Sequence, residues 1–223
     1  MAAQPSDREL LSLLAQLTLD EKISMLGGRN FWETAQVSDG PNGARGADFF
    51  NGKTAACFPA SVSLAATFNH EIARRIGVAL GQETQTKGAY VLLGPTVCPH
   101  RSPLGGRNFE SFSEDPVLAG ELASEYVLGL QSERVGATVK HLAANEQETR
   151  RFSVDETISD RALREIYLRP FEIVVKKSDP WCIMTSYNKI NGKYIDNQST
   201  FVKDILRNEW GFNGLVMTDW GSA

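Results

Sequence analysis

Gly136-Ala137-Thr138-Val139-Lys140-His141 is the stretch on which the fold turns. It is a brief apolar run, too short for an independent helix, that ends on two basic side chains. Such a run bounded by turn signals reads as a buried strand. Outward from it, helix and strand signals alternate. Before it, Asp115-Pro116 opens a helix, with proline at the first helical position where its missing N–H costs nothing. Leu118, Leu122, Tyr126 and Leu130 continue that helix. After it, Ser159 to Lys176 reads as helical, with Pro170 kinking or dividing the segment. Cys182 to Tyr187 then reads as a strand, Ser199 to Glu209 as a helix and Leu215-Val216-Met217-Thr218 as a last strand. Upstream, Tyr90-Val91-Leu92-Leu93 is an apolar strand closed by Gly94-Pro95. Asn69 to Lys87 is helical, with Ile72, Ile76 and Leu80 on one face and Gly88 breaking it. The chain begins with two helices. Leu10, Leu11, Leu14 and Leu17 recur at helical spacing, Thr18-Leu19-Asp20-Glu21 matches a capping box, and Gly27-Gly28 ends the second helix.

The composition is that of a globular domain: 42% of the 223 residues are hydrophobic and 22% charged. This excludes a disordered tail, a collagen-like repeat and a coiled coil. No run approaches 18 apolar residues, so no membrane span is expected. The 23 basic and 27 acidic residues are interspersed, which argues against a nucleic-acid partner. Cys57, Cys98 and Cys182 are odd in number and far apart. They suggest buried free thiols rather than a zinc site or a disulfide framework. No metal or cofactor is expected. The stretch Met1 to Asp7 lacks a basic and an apolar signal region, which predicts a cytoplasmic location.

Strands alternating with helices mean an α/β fold on a parallel sheet, either a (β/α) barrel or a doubly wound sheet. Polar groups recur at the strand ends: Ser38-Asp39 after Val37, Lys140-His141, Tyr187-Asn188 and Asp219-Trp220. A barrel enzyme builds its site on that rim, although each group taken alone could simply cap a loop. Asp219, behind an apolar strand, has the position of a nucleophile, base or metal ligand, or of a helix cap. Trp220 offers a flat apolar face suited to a sugar ring. Lys140 and His141 are candidate hydroxyl donors. Asp39-Gly40-Pro41-Asn42-Gly43-Ala44-Arg45 is a rigid turn carrying an acid and a base. Gly105-Gly106-Arg107-Asn108-Phe109-Glu110 is glycine-rich, but it has neither P-loop nor GxGxxG spacing. It is a loop bringing Arg107 and Glu110 to a pocket, or a plain turn.

Collectively these stretches resemble the N-terminal (β/α) barrel domain of glycoside hydrolase family 3, in its β-glucosidase branch. The match runs in order from about Leu17. It takes in Leu17-Thr18-Leu19-Asp20-Glu21-Lys22, Ser38-Asp39-Gly40-Pro41-Asn42-Gly43, Phe58-Pro59-Ala60, Gly94-Pro95 and the run Arg101 to Glu110. It continues through Ser113-Glu114-Asp115-Pro116, Lys140-His141, Asn145-Glu146-Gln147-Glu148, Arg161 to Tyr167, Met184 to Asn188 and Thr218-Asp219-Trp220. Lys140-His141 is followed by Leu142-Ala143-Ala144-Asn145-Glu146 rather than the Asp-His loop of relatives that remove N-acetylglucosamine. The resemblance therefore favours a β-glucoside, with a β-xyloside or β-galactoside as the alternatives.

The resemblance implies a retaining β-glycosidase acting on terminal non-reducing β-D-glucosyl residues, with a β-glucoside or oligosaccharide as its small-molecule partner. By motif position it implies Asp219 as the catalytic nucleophile and Asp39 as the acid holding two sugar hydroxyls. Arg107, Lys140 and His141 would be donors around the same sugar. Arg45, Leu92, Met184, Tyr187 and Trp220 complete the substrate-binding set. It also implies that residues 1–223 form a (β/α)8-type barrel lacking its last strand and helices, without the family's α/β sandwich domain and the acid/base glutamate carried there. An open barrel edge would call for self-association or a complementing chain. The alternatives are a non-hydrolytic sugar-binding module, or a repurposed enzyme whose pocket handles a non-sugar substrate.

Overall fold

The structure is a computed structural model and describes residues 6–26, 37–46 and 52–222. The first helices are α1 (Asp7–Gln16) and α2 (Leu19–Leu26). The capping box between Thr18 and Glu21 is formed in both directions, at 2.7 Å and 3.2 Å. The expected stop at Gly27-Gly28 lies outside the described residues. There follow β1 (Val37–Asp39), α3 (Ser61–Ala65), α4 (His70–Thr86), β2 (Val91–Leu93), α5 (Pro116–Ser132) and β3 (Gly136–Leu142). Asp115 caps α5 through the amides of Val117 and Leu118. Next come β4 (Asp155–Glu156), α6 (Asp160–Ala162), a turn of π-helix at Leu163–Tyr167, and α7 (Arg169–Ser178). Pro170 sits in the first turn of α7. It has no amide hydrogen to continue the preceding ladder, so the segment divides there. The chain ends with β5 (Cys182–Thr185), β6 (Lys189–Ile190), β7 (Lys193–Tyr194), a π-helical segment Thr200–Glu209 and β8 (Leu215–Met217).

Five strands form one parallel sheet in the order β1-β2-β3-β5-β8. Each new strand joins the same growing edge, and the order never reverses. That is the winding of a barrel wall; a doubly wound sheet reverses at its switch point. The architecture is thus α/β, part of a (β/α)8-type barrel. The register pairs Asp39 with Leu93, Leu92 with Ala137, and Met184 with Met217.

The strands alternate between two apolar layers, with one break of phase in β3, where the register shifts between Val139 and Leu142 and Leu142 joins the same core as Val139. Leu92, Ala137, Val139 and Ile183 pack into the large core between sheet and helices, with Val216 against it. Val37, Leu93 and Met184 form a second small cluster on the opposite face, with Met217 and Trp220 against it. A strand shows its two faces with period two, so adjacent leucines must part company. Leu92 goes to the helices and Leu93 to the other side.

Two expectations from sequence need correction. The buried face of α4 is Ala73, Gly77, Leu80, Gly81 and Thr84, whereas Ile72 is 37% exposed. The reason is the closeness of α5. A Cβ on Gly77 would lie 2.2 Å from the Tyr126 carbonyl oxygen, and one on Gly129 would lie 2.1 Å from that of Arg74. Backbones in such contact admit only small residues, so Ile72 turns outward, whereas Leu80 of the expected face is fully buried and Ile76 packs partly buried against the core. Of the three free cysteines, Cys98 and Cys182 are buried but Cys57 is exposed. Its neighbour Phe58, not the thiol, packs toward the core.

A second, three-stranded sheet (β4-β6-β7) was not anticipated. Its hairpin turns on Asn191-Gly192, both at positive φ (50° and 89°). Asn-Gly between β-formers is a strong short-range hairpin signal. It stood in the sequence within Lys189-Ile190-Asn191-Gly192-Lys193-Tyr194.

The α4–α5 contact makes a direct prediction. Gly77→Ala should cost about 2–3 kcal/mol through overpacking, while Ile72→Ala should cost less than about 1 kcal/mol. Urea denaturation of both variants checks this. The reverse ranking would mean that the isoleucine face is the packed one.

Candidate active site

Asp39 ends β1 and faces the same side of the sheet as Leu93, Lys140 and Met184. Together with Arg107, His141, Arg151, Tyr187, Asp219 and Trp220, these residues line an open cleft of about 210 Å³. Among the described residues no group of three or more His, Cys, Asp or Glu is placed to hold a metal ion.

Lys140 is 3% exposed, and its Nζ donates to Asp39 Oδ1 at 2.9 Å. A buried ammonium requires such a partner. Burial alone would raise the Asp39 carboxyl, but the Lys140 charge and hydrogen bond, the Gly40 amide and Arg45 together hold it below the usual range. Asp39 is therefore an ionised acceptor at neutral pH. The turn after it is anchored from the core, where the Tyr126 hydroxyl donates to the Pro41 carbonyl at 2.9 Å.

His141 is 2% exposed. Burial, reinforced by the charges of Arg107, Lys140 and Arg151, drives its pKa well below the ordinary imidazole value. It is neutral at physiological pH. The 3.6 Å approach of His141 Nε2 to Asp219 Oδ2 is accordingly a contact with a neutral ring, not an ion pair. Arg107 Nη1 approaches the same nitrogen at 3.5 Å.

Asp219 lies beyond the end of β8 and is 9% exposed. Its Oδ1 accepts the Trp220 amide at 2.8 Å. The Tyr187 hydroxyl donates to the Trp220 carbonyl at 2.7 Å. Burial first, then the charge and hydrogen bonding of Asp219, push the Tyr187 phenol above its normal range, so it keeps its proton. Asp196 braces the strand ends: one oxygen accepts from Thr185 at 2.5 Å and the other from Ser222 at 2.9 Å.

The structure thus brings together Asp39, Arg107, Lys140, His141, Met184, Tyr187, Asp219 and Trp220, all named from sequence. Two others fall elsewhere. Arg45 stands beside Asp39, with Nη2 3.9 Å from Oδ2, and is not part of the cleft wall. Leu92 is fully buried in the sheet–helix core, and Leu93 has the cleft position. The strand's alternation decides this, and the apolar run Val91-Leu92-Leu93 does not disclose its phase. Sequence reading also missed Arg151. It follows β3 by a loop, and no signal in that loop separates it from neighbouring Arg150.

With this geometry in view, the comparisons with known proteins are decisive. Residues 43–223 match the model of the glycosyl hydrolase family 3 N-terminal domain. The chain belongs to glycosyl hydrolase family 3. It is 60% identical, over 96% of its length, to β-glucosidase B of Emericella nidulans. A crystal structure of β-glucosidase from Kluyveromyces marxianus superimposes with a TM-score of 0.94, at 46% identity over 98% of this chain. β-Glucosidase 3B from Thermotoga neapolitana in complex with glucose gives 0.88, at 44% identity over 95% of this chain. The chain spans 27% of the E. nidulans relative and of the K. marxianus structure, and 34% of the T. neapolitana one. These family 3 structures have the barrel architecture deduced from the strand order.

Behind Arg107, Glu146 supplies a test of the electrostatics. Burial raises its carboxyl to about 8, with the Glu156 charge adding and Arg101 opposing. A carboxyl raised on folding stabilises the native state fully below its unfolded pKa, and that contribution is lost as pH rises through about 8. Glu146→Gln cannot ionise. Its thermal midpoint should be close to wild type at pH 5 and about 3–6 °C higher at pH 9. A difference that is flat with pH would show that Glu146 is ionised throughout.

Proposed function

We propose that this chain carries the nucleophile and the sugar-gripping wall of a retaining β-glucosidase acting on terminal non-reducing β-D-glucosyl residues. The observation that carries the reading is Asp219, seated at a strand end of a family 3 barrel and facing a cleft lined by ionised Asp39, cationic Lys140 and Arg107, and Trp220. β-Glucosidase relatives, one of them solved with glucose, support the substrate class.

The chemistry follows from charge. Hydrolysis of a glycoside passes through an oxocarbenium-like state that a carboxylate stabilises and then traps as a covalent glycosyl-enzyme. Asp219 attacks the anomeric carbon and the aglycone oxygen leaves. Asp39 accepts hydrogen bonds from two hydroxyls remote from that carbon, while Lys140, neutral His141 and Arg107 donate to others. Their grip counts toward rate only as far as it tightens in the transition state. Tyr187, protonated, orients the nucleophile.

A retaining enzyme uses a second carboxyl about 5–5.5 Å from the first. Among the described residues the only carboxylates lining the cleft are Asp39 and Asp219. Asp39 is committed to Lys140. In this reading, polypeptide beyond this portion of the relatives' length supplies the acid/base group and covers the outer edge of β8, where Leu215 is 49% exposed.

The test is labelling with 2,4-dinitrophenyl 2-deoxy-2-fluoro-β-D-glucoside, whose leaving group needs no protonation. Intact mass should rise by one fluoroglucosyl unit in wild type and not at all in Asp219→Asn. Turnover of alkyl glucosides by this chain alone should be lower by about 10²–10⁴-fold than with the acid/base group present. Folded protein, verified by circular dichroism, that takes up no label would refute the nucleophile assignment.

A further inference from the structure

Two guanidinium groups face the cleft, and one carboxylate meets both. Glu148 Oε2 accepts from Arg151 Nη1 at 2.7 Å, and Glu148 Oε1 lies 3.8 Å from Arg107 Nη1. The two oxygens of a single side chain are thus divided between two arginines from different loops. Arg107 is also paired through Nε with Glu110, which is 6% exposed. Arg151 rests against ring faces, its guanidinium carbon 5.0 Å from the centroids of both Phe152 and Tyr187. Those rings are themselves 4.4 Å apart.

Glu148 is in turn built into place. Its amide donates to the Gly105 carbonyl at 3.1 Å. Its side chain lies so close over Gly106 that a Cβ there would be 2.9 Å from Glu148 Cγ. Gly106 is also at φ +93°, where a side chain is strained in any case. Gly106 thus accommodates the Glu148 side chain, while Gly105 makes room for Asn108 and the Glu146 carbonyl.

We propose that Glu148 is a positioning residue: a shared counter-ion that fixes Arg107 and Arg151 as a rigid pair along the sugar subsite. This rests on the β-glucosidase reading above. Asp219 already acts electrostatically on Arg107. Freed from Glu148, Arg151 can swing toward the Asp219 carboxylate, and Arg107, still held through Nε by Glu110, loses the carboxylate that orients its Nη1 end. Held by Glu148, both cations stay aimed at hydroxyls. The 2.7 Å contact from Arg151 is a charge-assisted hydrogen bond, about twice as strong as a neutral one, and the 3.8 Å approach of Arg107 is an ion pair; both lose the negative charge when the carboxylate becomes an amide.

The experiment compares wild type, Glu148→Gln, Glu148→Asp, Arg151→Lys and the double variant Glu148→Gln/Arg151→Lys. Labelling by the fluoroglucoside above yields a half-saturating concentration and a maximal rate for each. Glu148→Gln should raise the half-saturating concentration at least about tenfold, with a smaller loss of maximal rate, and Glu148→Asp should recover part of the loss. The double variant should be less impaired than the product of the singles, because both remove the same contact. A purely structural role would lower the thermal midpoint without moving the half-saturating concentration. A value within twofold of wild type, or strictly multiplicative effects, would overturn the proposal.

Arginine ¹⁵Nε NMR separates this from the sugar reading. The Arg107 and Arg151 signals should both shift in Glu148→Gln without any ligand. If they do while wild type takes no label, the bracket exists but the β-glucosidase reading fails. If neither signal or only one responds, the shared bracket is refuted whatever the labelling shows.

Discussion

The ion pair between Lys140 and Asp39 is the constraint from which the rest of the site follows. Lys140 projects from β3, a strand whose residues are buried along its whole length. An ammonium there is tolerable only with a carboxylate in hydrogen-bond contact, and Asp39 supplies it from β1, across the intervening β2. The pair therefore links the first and third strands of the barrel wall. It keeps Asp39 ionised, and its positive member helps keep His141 neutral. One interaction thus keeps its own acid ionised and adds to the burial that keeps His141 neutral.

The other cations of the cleft are managed differently. Arg107 and Arg151 come from loops, not strands, and a loop holds a side chain only as well as its contacts do. Here the contacts are carboxylates behind the cleft, Glu110 and Glu148, together with the faces of Phe152 and Tyr187. The cleft thus has a rigid half, made of strand-borne Asp39, Leu93, Lys140 and Met184, and a braced half made of loops. The helical shell serves the rigid half. The close α4–α5 contact places Tyr126, whose hydroxyl reaches through the core to hold the turn after Asp39.

Much of this was legible in the chain itself. The α5 boundary follows from Asp115-Pro116, the division of the α6–α7 segment from Pro170, and the strand ends from Gly94-Pro95 and from the polar groups after each apolar run. These are local effects: a cap, a missing amide hydrogen, a change of period. The family resemblance placed Asp219 and most of its neighbours at one rim. The misreadings were non-local. Nothing in Ile72-Ala73-Arg74-Arg75-Ile76-Gly77 announces that another backbone lies against Gly77, a contact that leaves Ile72 outside the buried face. Asn191-Gly192 was local and readable, but its flanking strands are only two residues each.

The sequence by itself determined which segments are helix or strand, that the sheet is parallel, and which chemistry the strand ends carry. Those properties reside in side-chain period, in caps and in the types of residue present. Tertiary structure alone decided the phase of Val91-Leu92-Leu93, sending Leu93 to the cleft and Leu92 to the core, because an all-apolar strand buried on both faces has no polar residue to mark its sides. It alone set Arg45 behind Asp39 and brought Arg151 forward onto Glu148 and Tyr187. A loop residue's direction is fixed by the partners that meet it, and those partners lie far away along the chain.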